Sequence, residues 1–280
     1  MVPWIHMANL SLLTLNLAVE YPWEEKKDLL IETLRQLDPD FICFQEIFNS
    51  EKVKQGKALG DILNYSFSQI LTMPYSANNI SGTFGSAIFS KQKHYSKEIF
   101  KVLLNKKSQK LVEDKLQRAF IVSNYQIGKK TFWLVNVHLS TNFEYRKSNW
   151  NELENWLDKN VPKNASLIIC GDFNTCGEEN NMLNSEVVDI QDEVISGGFK
   201  NAWDLVNSDP CITYRSSDWW LKNYANSIEA LKIREKNRSY TAKVLDYFFV
   251  NDFVEVKSVE TIDLVHKVSD HLGLFMRFEL

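Results

Sequence analysis

The 280-residue chain contains no apolar run near the roughly 18 residues that a membrane-spanning helix needs. Its start, Met1-Val-Pro-Trp-Ile-His-Met-Ala-Asn-Leu10, lacks a basic stretch followed by a long apolar one, so no secretory signal is read there. The expected location is therefore the cytoplasm of the producing cell, and a non-classical secretion route is compatible with the same absence. Cysteine is scarce: Cys43, Cys170, Cys176 and Cys211 are too few for a disulfide framework on so long a chain. The Cys170/Cys176 spacing fits no zinc knuckle. Cys43 and Cys170 sit inside apolar runs and read as buried thiols of core strands. There is no excess of positive charge either. A net charge of −4 and a sequence pI of about 5.8 argue against a protein that grips nucleic acid over a wide surface. They leave room for a nuclease, because a bound metal supplies positive charge locally. No internal repeat, low-complexity tract or Pro/Gly/Ser-rich linker divides the chain. One domain over residues 9–280, preceded by an extension at 1–8, and a monomeric state are expected.

What is present is a series of short apolar segments. Leu10–Leu17 reads as a buried strand, and 23–37 carries apolar residues at 23, 29, 30, 34 and 37, one face of a helix. Asp38-Pro39-Asp40 stops that helix, and Phe41–Glu46 forms a second strand. A strand, a helix and a strand in so short a space predict a crossover unit with a parallel pair. Further strands are expected at 85–90, 118–125, 131–138, 167–170, 244–250, about 254–265 and 272–278, with a hairpin around Gly128 and a helix over 144–158. Residues 49–84, 92–117, 140–149 and 175–243 are read as loops, the last a long excursion between core strands.

Polar residues gather at the ends of these strands. Asn16 ends the first, Gln45-Glu46 the second and His138 a third. Gly171-Asp172-Phe173-Asn174 follows a fourth, Asp246 lies in a fifth, and Ser269-Asp270-His271 precedes a sixth. Polar groups at the ends of apolar strands are costly to bury without partners, so six such ends fit one shared cleft. Their chemistry is mutually consistent. Glu46 and Asp270 are hard oxygen ligands suited to Mg²⁺, and Asn16 offers a carbonyl or a ligated water. Asp172 suits a base that orients and deprotonates water. His138 and His271 suit hydrogen-bond donation to a phosphoryl group, and Asp246 suits fixing one imidazole. Each residue also has a plainer reading: Glu46 as a surface carboxylate, Asp172–Asn174 and Ser269–His271 as turns, His138 as a structural histidine. His6, His94 and His266 have no neighbours that enlist them. Trp219-Trp220 reads as half core rather than as a stacking or membrane-touching pair. The run Lys232, Arg234, Lys236, Arg238, interleaved with Glu229 and Glu235, reads as a solvated face or a phosphate patch.

The order Asn16, Gln45-Glu46, His138-Leu139, Gly171-Asp-Phe-Asn174, Leu245-Asp-Tyr247, Ser269-Asp-His271 resembles the endonuclease/exonuclease/phosphatase superfamily, which includes deoxyribonucleases and neutral sphingomyelinases. The resemblance spans residues 10–279. It implies an α/β (α+β) fold, a four-layer α/β sandwich of two mixed β-sheets packed face to face with helices outside. It implies an Mg²⁺-dependent phosphodiesterase, with Mn²⁺ as a substitute, acting on nucleic acid or a phospholipid head group. The implied roles are metal binding by Glu46 with Asn16 and Asp270, water activation by Asp172 and positioning by Asn174. His138 and His271 would stabilise the transition state, Asp246 would back one of them, and Arg118 would contact the phosphate. Cys43–Phe48 and Gly85–Lys91 look like the sphingomyelinase branch, whereas Tyr240–Asp246 lacks the inositide 5-phosphatase signature. A phosphomonoesterase on an inositide or small phosphorylated molecule, and a non-catalytic binding or effector module on the same fold, are the alternative expectations.

Overall fold

A computed structural model of the chain describes residues 9–77, 80–91, 118–175, 190–214, 244–264 and 267–280. Two mixed β-sheets form its centre. The first contains β1 (Leu10–Asn16), β2 (Phe41–Asn49), β3 (Ser66–Ala77), β4 (Ile80–Ser90), β10 (Glu255–Ile262) and β11 (Gly273–Glu279). The second contains β5 (Ile121–Ile127), β6 (Lys130–His138), β7 (Ser166–Asp172), β8 (Lys200–Asn201) and β9 (Asp246–Val250). The spatial orders are β10-β11-β1-β2-β4-β3 and β5-β6-β7-β9-β8. Five helices complete the described elements: α1 (Trp23–Leu37), α2 (Gln55–Leu63), α3 (Phe143–Asn160), α4 (Ile190–Ser196) and α5 (Ala202–Val206).

Strand alternation explains the layering. In β1, Leu12 points between the sheets and packs with Phe41, Cys43 and Ile88 against Phe132, Leu134, Ile168, Cys170 and Phe248 of the facing sheet. Leu13 and Leu15 point the other way, with Ile42 and Phe44, onto Leu30, Ile31 and Leu34 of α1. On the far side, Val135, Val137, Leu167 and Ile169 meet Trp150, Leu153 and Leu157 of α3. Both faces of each central strand are thus covered, which is why these strands read as unbroken apolar runs in the sequence. Cys43 and Cys170 are fully buried as expected and share one inter-sheet cluster.

The parallel pair β1–β2 and the β5–β6 hairpin match the sequence expectation. The segment 49–84 does not: it is not a loop but carries α2, β3 and the start of β4. β3 is an edge strand, and an edge tolerates the Pro74 and the scattered Ser and Thr that hide its period in the sequence. The expected loop 140–149 gives way at Phe143 to α3, whose N-cap Asn142 accepts a hydrogen bond from the Tyr145 N–H. Within 175–243 the described parts hold α4, β8 and α5. Arg118 precedes its strand rather than opening it. Trp219-Trp220, the basic run from Lys232 to Arg238, Cys176, His6, His94, His266 and residues 92–117 lie outside the described residues. No helix among the described residues is long and apolar enough to cross a membrane.

Candidate active site

The ladder registers bring the polar strand ends together. β1 and β2 run parallel with Asn16 opposite Gln45, so Glu46 lies one step beyond. β6 and β7 run parallel with His138 opposite Asp172, and β9 pairs Asp246 to Asp172. One cavity of about 350 Å³ is lined by Asn16, Glu46, Arg118, His138, Asp172, Asn174, Asp270 and His271. Asp246, the remaining residue expected at the site, stands behind His271, with Oδ2 2.8 Å from Nδ1.

Local backbone makes this possible. The β2–β4 ladder shifts register between Phe44 and Ile47, and Glu46 inside that bulge has φ 57°. Left-handed backbone at a non-glycine residue costs about 1–3 kcal/mol and persists where its surroundings enforce it. Here the Val19 N–H donates to Glu46 Oε2 at 2.8 Å, while Ala18, itself at φ 46°, donates its N–H to Asn16 Oδ1 at 3.0 Å. Asn16 therefore turns its amide NH₂, not its carbonyl, toward the carboxylates: Nδ2 donates to Asp172 Oδ2 at 3.0 Å and to Glu46 Oε1 at 3.4 Å. Asp172 Oδ1 accepts the Asn174 N–H at 2.9 Å, and Asn174 Nδ2 donates to Leu139 O at 3.0 Å. The turn read at Asp172–Asn174 is real, and it is the device that aims both side chains into the cavity. Ser269 plays a similar part: its Oγ accepts the His271 N–H and donates to Asn16 O.

Burial sets the electrostatics. Asp172 is pushed up to about 7, chiefly by burial and further by Asp246, against the opposing pull of His271, Asn16 and Asn174. Burial alone would lower His271, yet Asp246, with Asp172 and Asp270, carries it up to about 10. His138 goes the other way: burial, the Arg118 guanidinium and His271 hold it well below the usual histidine range. Its Nε2 lies 3.6 Å from Asp172 Oδ2 and 3.9 Å from Glu46 Oε1, too far for hydrogen bonds, and a neutral ring makes no ion pair with either. One imidazole is thus charged and the other neutral.

Two charged residues escaped the sequence analysis. Glu20 lines the cavity and is pushed up to about 7 by burial and by Glu46 and Asp270. Lys26, fully buried in α1, donates to Leu17 O and, at 3.0 Å, to Ala18 O, fixing the turn that carries Asn16 into the site. Burial lowers Lys26 to about 8. A lone Glu between Val19 and Tyr21, or one Lys among several in a helix, carries no sequence signal. Because the folded-state value lies below the unfolded one, the stability linked to Lys26 is fully present above pH 10.5 and is lost as pH falls through 8. In EDTA, wild type should gain about 3 kcal/mol over Lys26→Met between pH 8 and 10.5. A pH-independent difference between the two in denaturant titrations would contradict this.

Among the described residues, two places could receive a divalent ion. Asp172, Asp246 and His271 offer ligand atoms within 4.8 Å of one another, but His271 Nδ1 is already engaged by Asp246. Glu20, Glu46 and Asp270 fit better. They are hard oxygen donors around one cavity, and burial and Glu46 also raise Asp270. A bound cation would relieve this repulsion.

The family model for the Endonuclease/Exonuclease/phosphatase family matches residues 13–271. The chain belongs to that family, whose members are hydrolases of phosphoester bonds, as the order of motifs led one to expect. An uncharacterised protein of Acanthamoeba polyphaga mimivirus is 25% identical over 169 residues, 55% of this chain, and the match spans 60% of that relative's length. Among solved structures, an endonuclease/exonuclease/phosphatase family protein from Leptotrichia buccalis aligns with a TM-score of 0.71 at 18% identity, over 97% of this chain and all of that one. A mannosyl-6-phosphatase of Bacteroides thetaiotaomicron aligns with a TM-score of 0.66 at 17% identity, over 97% of this chain and 100% of that one. At these identities the structures share a fold.

Proposed function

We propose that the chain is a divalent-metal-dependent phosphodiesterase. The observation that carries this reading is the charge of the cavity. Glu20, Glu46, Asp172 and Asp270 face it, against Arg118 and His271 as the cationic side chains among the described residues. With one divalent ion bound the four carboxylates would be matched by the cations, so the site would hold no surplus positive charge for the dianion of a phosphomonoester, whereas the monoanion of a diester asks for less. Glu46 and Asp270, with Glu20 beside them and Asn16 bridging to Asp172, would hold Mg²⁺ or Mn²⁺. The bound ion would supply Lewis-acid polarisation of a phosphoryl oxygen. Asp172, oriented by Asn16 and the Asn174 N–H, takes the proton of a water that attacks phosphorus in line with the departing ester oxygen. Charge growing on the non-bridging oxygens is met by His271, kept protonated by Asp246, by the neutral imidazole of His138 and by Arg118. Asn174 positions water or phosphate.

The substrate is set by the surroundings of this site rather than by the fold. Supercoiled plasmid tests one diester class and sphingomyelin vesicles another. Turnover of either with Mg²⁺ and none with EDTA is expected. The second reading, a phosphomonoesterase, is favoured by the structural likeness to a protein described as a mannosyl-6-phosphatase. Release of free phosphate from sugar or inositol monophosphates, with both diesters left intact, would replace the first reading by the second.

A further inference from the structure

One tier below the site lies a layer of polar residues that the mechanism does not use. Asn136 of β6 is fully buried between the sheets. Its Nδ2 donates to Phe44 O and Ala87 O of the facing sheet, both at 2.9 Å. Its Oδ1 accepts from Gln45 Nε2 at 2.7 Å, and Gln45 Nε2 also donates to Thr14 Oγ1 at 3.1 Å. Thr14 and Gln45 are fully buried as well. Gly171 closes the layer: with φ 130°, a Cβ there would stand 2.1 Å from Val137 O, 3.0 Å from Gln45 Nε2 and 3.1 Å from Asn136 Oδ1.

Each member sits one or two residues before a residue of the site, on the same strand or its continuation. Thr14 precedes Asn16, Gln45 precedes Glu46, Asn136 precedes His138, and Gly171 precedes Asp172. Glu46 and Asn16 belong to one sheet, His138 and Asp172 to the other, so the site exists only while the sheets keep their relative position. Apolar contact between sheets is non-directional and permits small shifts, whereas hydrogen bonds fix both distance and direction. Phe44 O and Ala87 O lie at the edge of the β2 bulge, where the ladder loses register and Glu46 takes its left-handed conformation.

Stability alone gives a poor account of the layer. Gln45 Oε1 is buried with no hydrogen-bond partner among the described residues, a cost that an apolar side chain would avoid.

We propose that Asn136, Gln45 and Thr14 are positioning residues: an inter-sheet hydrogen-bonded layer that holds the metal-binding half of the site against the water-activating half. This rests on the roles proposed above for Glu46 and Asp172. None of the three lines the cavity, so the layer acts through the residues next to it on each strand.

The test compares wild type, Asn136→Leu, the double variant Gln45→Met/Asn136→Leu, and Thr14→Val. Three quantities are read: melting temperature, kcat and KM on bis(p-nitrophenyl) phosphate, and Mn²⁺ affinity by calorimetry. Asn136→Leu strands the Gln45 amide and should melt lower. The double variant also removes the stranded Gln45 amide and should regain part of that loss, while Phe44 O, Ala87 O and Thr14 Oγ1 stay without these donors. Its kcat should nevertheless stay down by about tenfold or more, with KM little changed and Mn²⁺ binding weakened about tenfold. Return of kcat and Mn²⁺ affinity together with melting temperature would reduce the layer to a structural role and overturn the proposal. Thr14→Val, nearly isosteric, decides the matter if the double variant does not fold. It should keep its melting temperature and lose activity and Mn²⁺ affinity several-fold, and wild-type values in both would overturn the proposal. Should wild type itself fail to cleave the diester, the functional reading fails, and Mn²⁺ affinity alone decides on the layer.

Discussion

Asp172→Ala should lower kcat on a phosphodiester by roughly 10³-fold while the protein stays folded and melts no lower than wild type. The loss follows from position. Asp172 Oδ2 is the atom on which Asn16 Nδ2 converges, with the Nε2 atoms of His138 and His271 3.6 Å and 3.9 Å away. The retained stability follows from burial. A carboxylate pushed up to about 7 binds its proton more tightly folded than unfolded, so its favourable contribution is lost as pH rises through 7. Above that pH, in EDTA, the ionised group strains the fold, and its removal offsets the lost hydrogen bonds from Asn16 and Asn174. Circular dichroism melts of the two proteins at pH 8, beside steady-state rates, check both halves. A residual rate near wild type would remove Asp172 from the chemistry, and a collapsed melt would leave the rate uninterpretable and contradict the stability claim.

Asp246→Ala should be the next most damaging change, lowering kcat by about 10²-fold with little effect on KM. Asp246 does not line the cavity, so it acts through His271. Its Oδ2 fixes Nδ1 at 2.8 Å, which leaves Nε2 directed at Asp172 and the cavity. Thr213 supports the pair from the other side: its Oγ1 accepts the N–H of Leu245 and of Asp246, and its carbonyl accepts the N–H of Leu272. Burial opposes charge on His271, and Asp246 is what overcomes it. Without that carboxylate the imidazole should lose its proton at lower pH, so the alkaline limb of the rate profile should move to lower pH. Asp246→Asn, which keeps the shape but not the charge, should show the same displacement. A pH profile that keeps its shape and merely drops in height would mean that the pair does not govern His271.

The candidate site was legible because its residues stand at or beside strand ends, and strands buried on both faces announce themselves as apolar runs. Leu10–Leu17, Phe41–Glu46 and Leu167–Cys170 read this way, within a residue or two of the observed strands Leu10–Asn16, Phe41–Asn49 and Ser166–Asp172 at most ends, and so do the polar residues at or just beyond them. Residues whose importance comes from the third dimension were not legible. Glu20 and Lys26 carry no pattern. The left-handed turn at Glu46 arises from a mismatch with β4, which no local sequence rule predicts. Asn136 reads as one polar residue in an apolar strand until the opposite sheet is in place. β3 was hidden for the reason edge strands often are: exposure relaxes the demand for a clean alternation.

The central claim is that a metal held near Glu46 and a base at Asp172 act together on a phosphodiester. Turnover of bis(p-nitrophenyl) phosphate by wild type and Asp172→Ala, each with Mg²⁺ and with EDTA, tests it most directly. The account predicts product from wild type with Mg²⁺ and essentially none from the other three combinations. Turnover that survives EDTA, or that survives loss of Asp172, would contradict it.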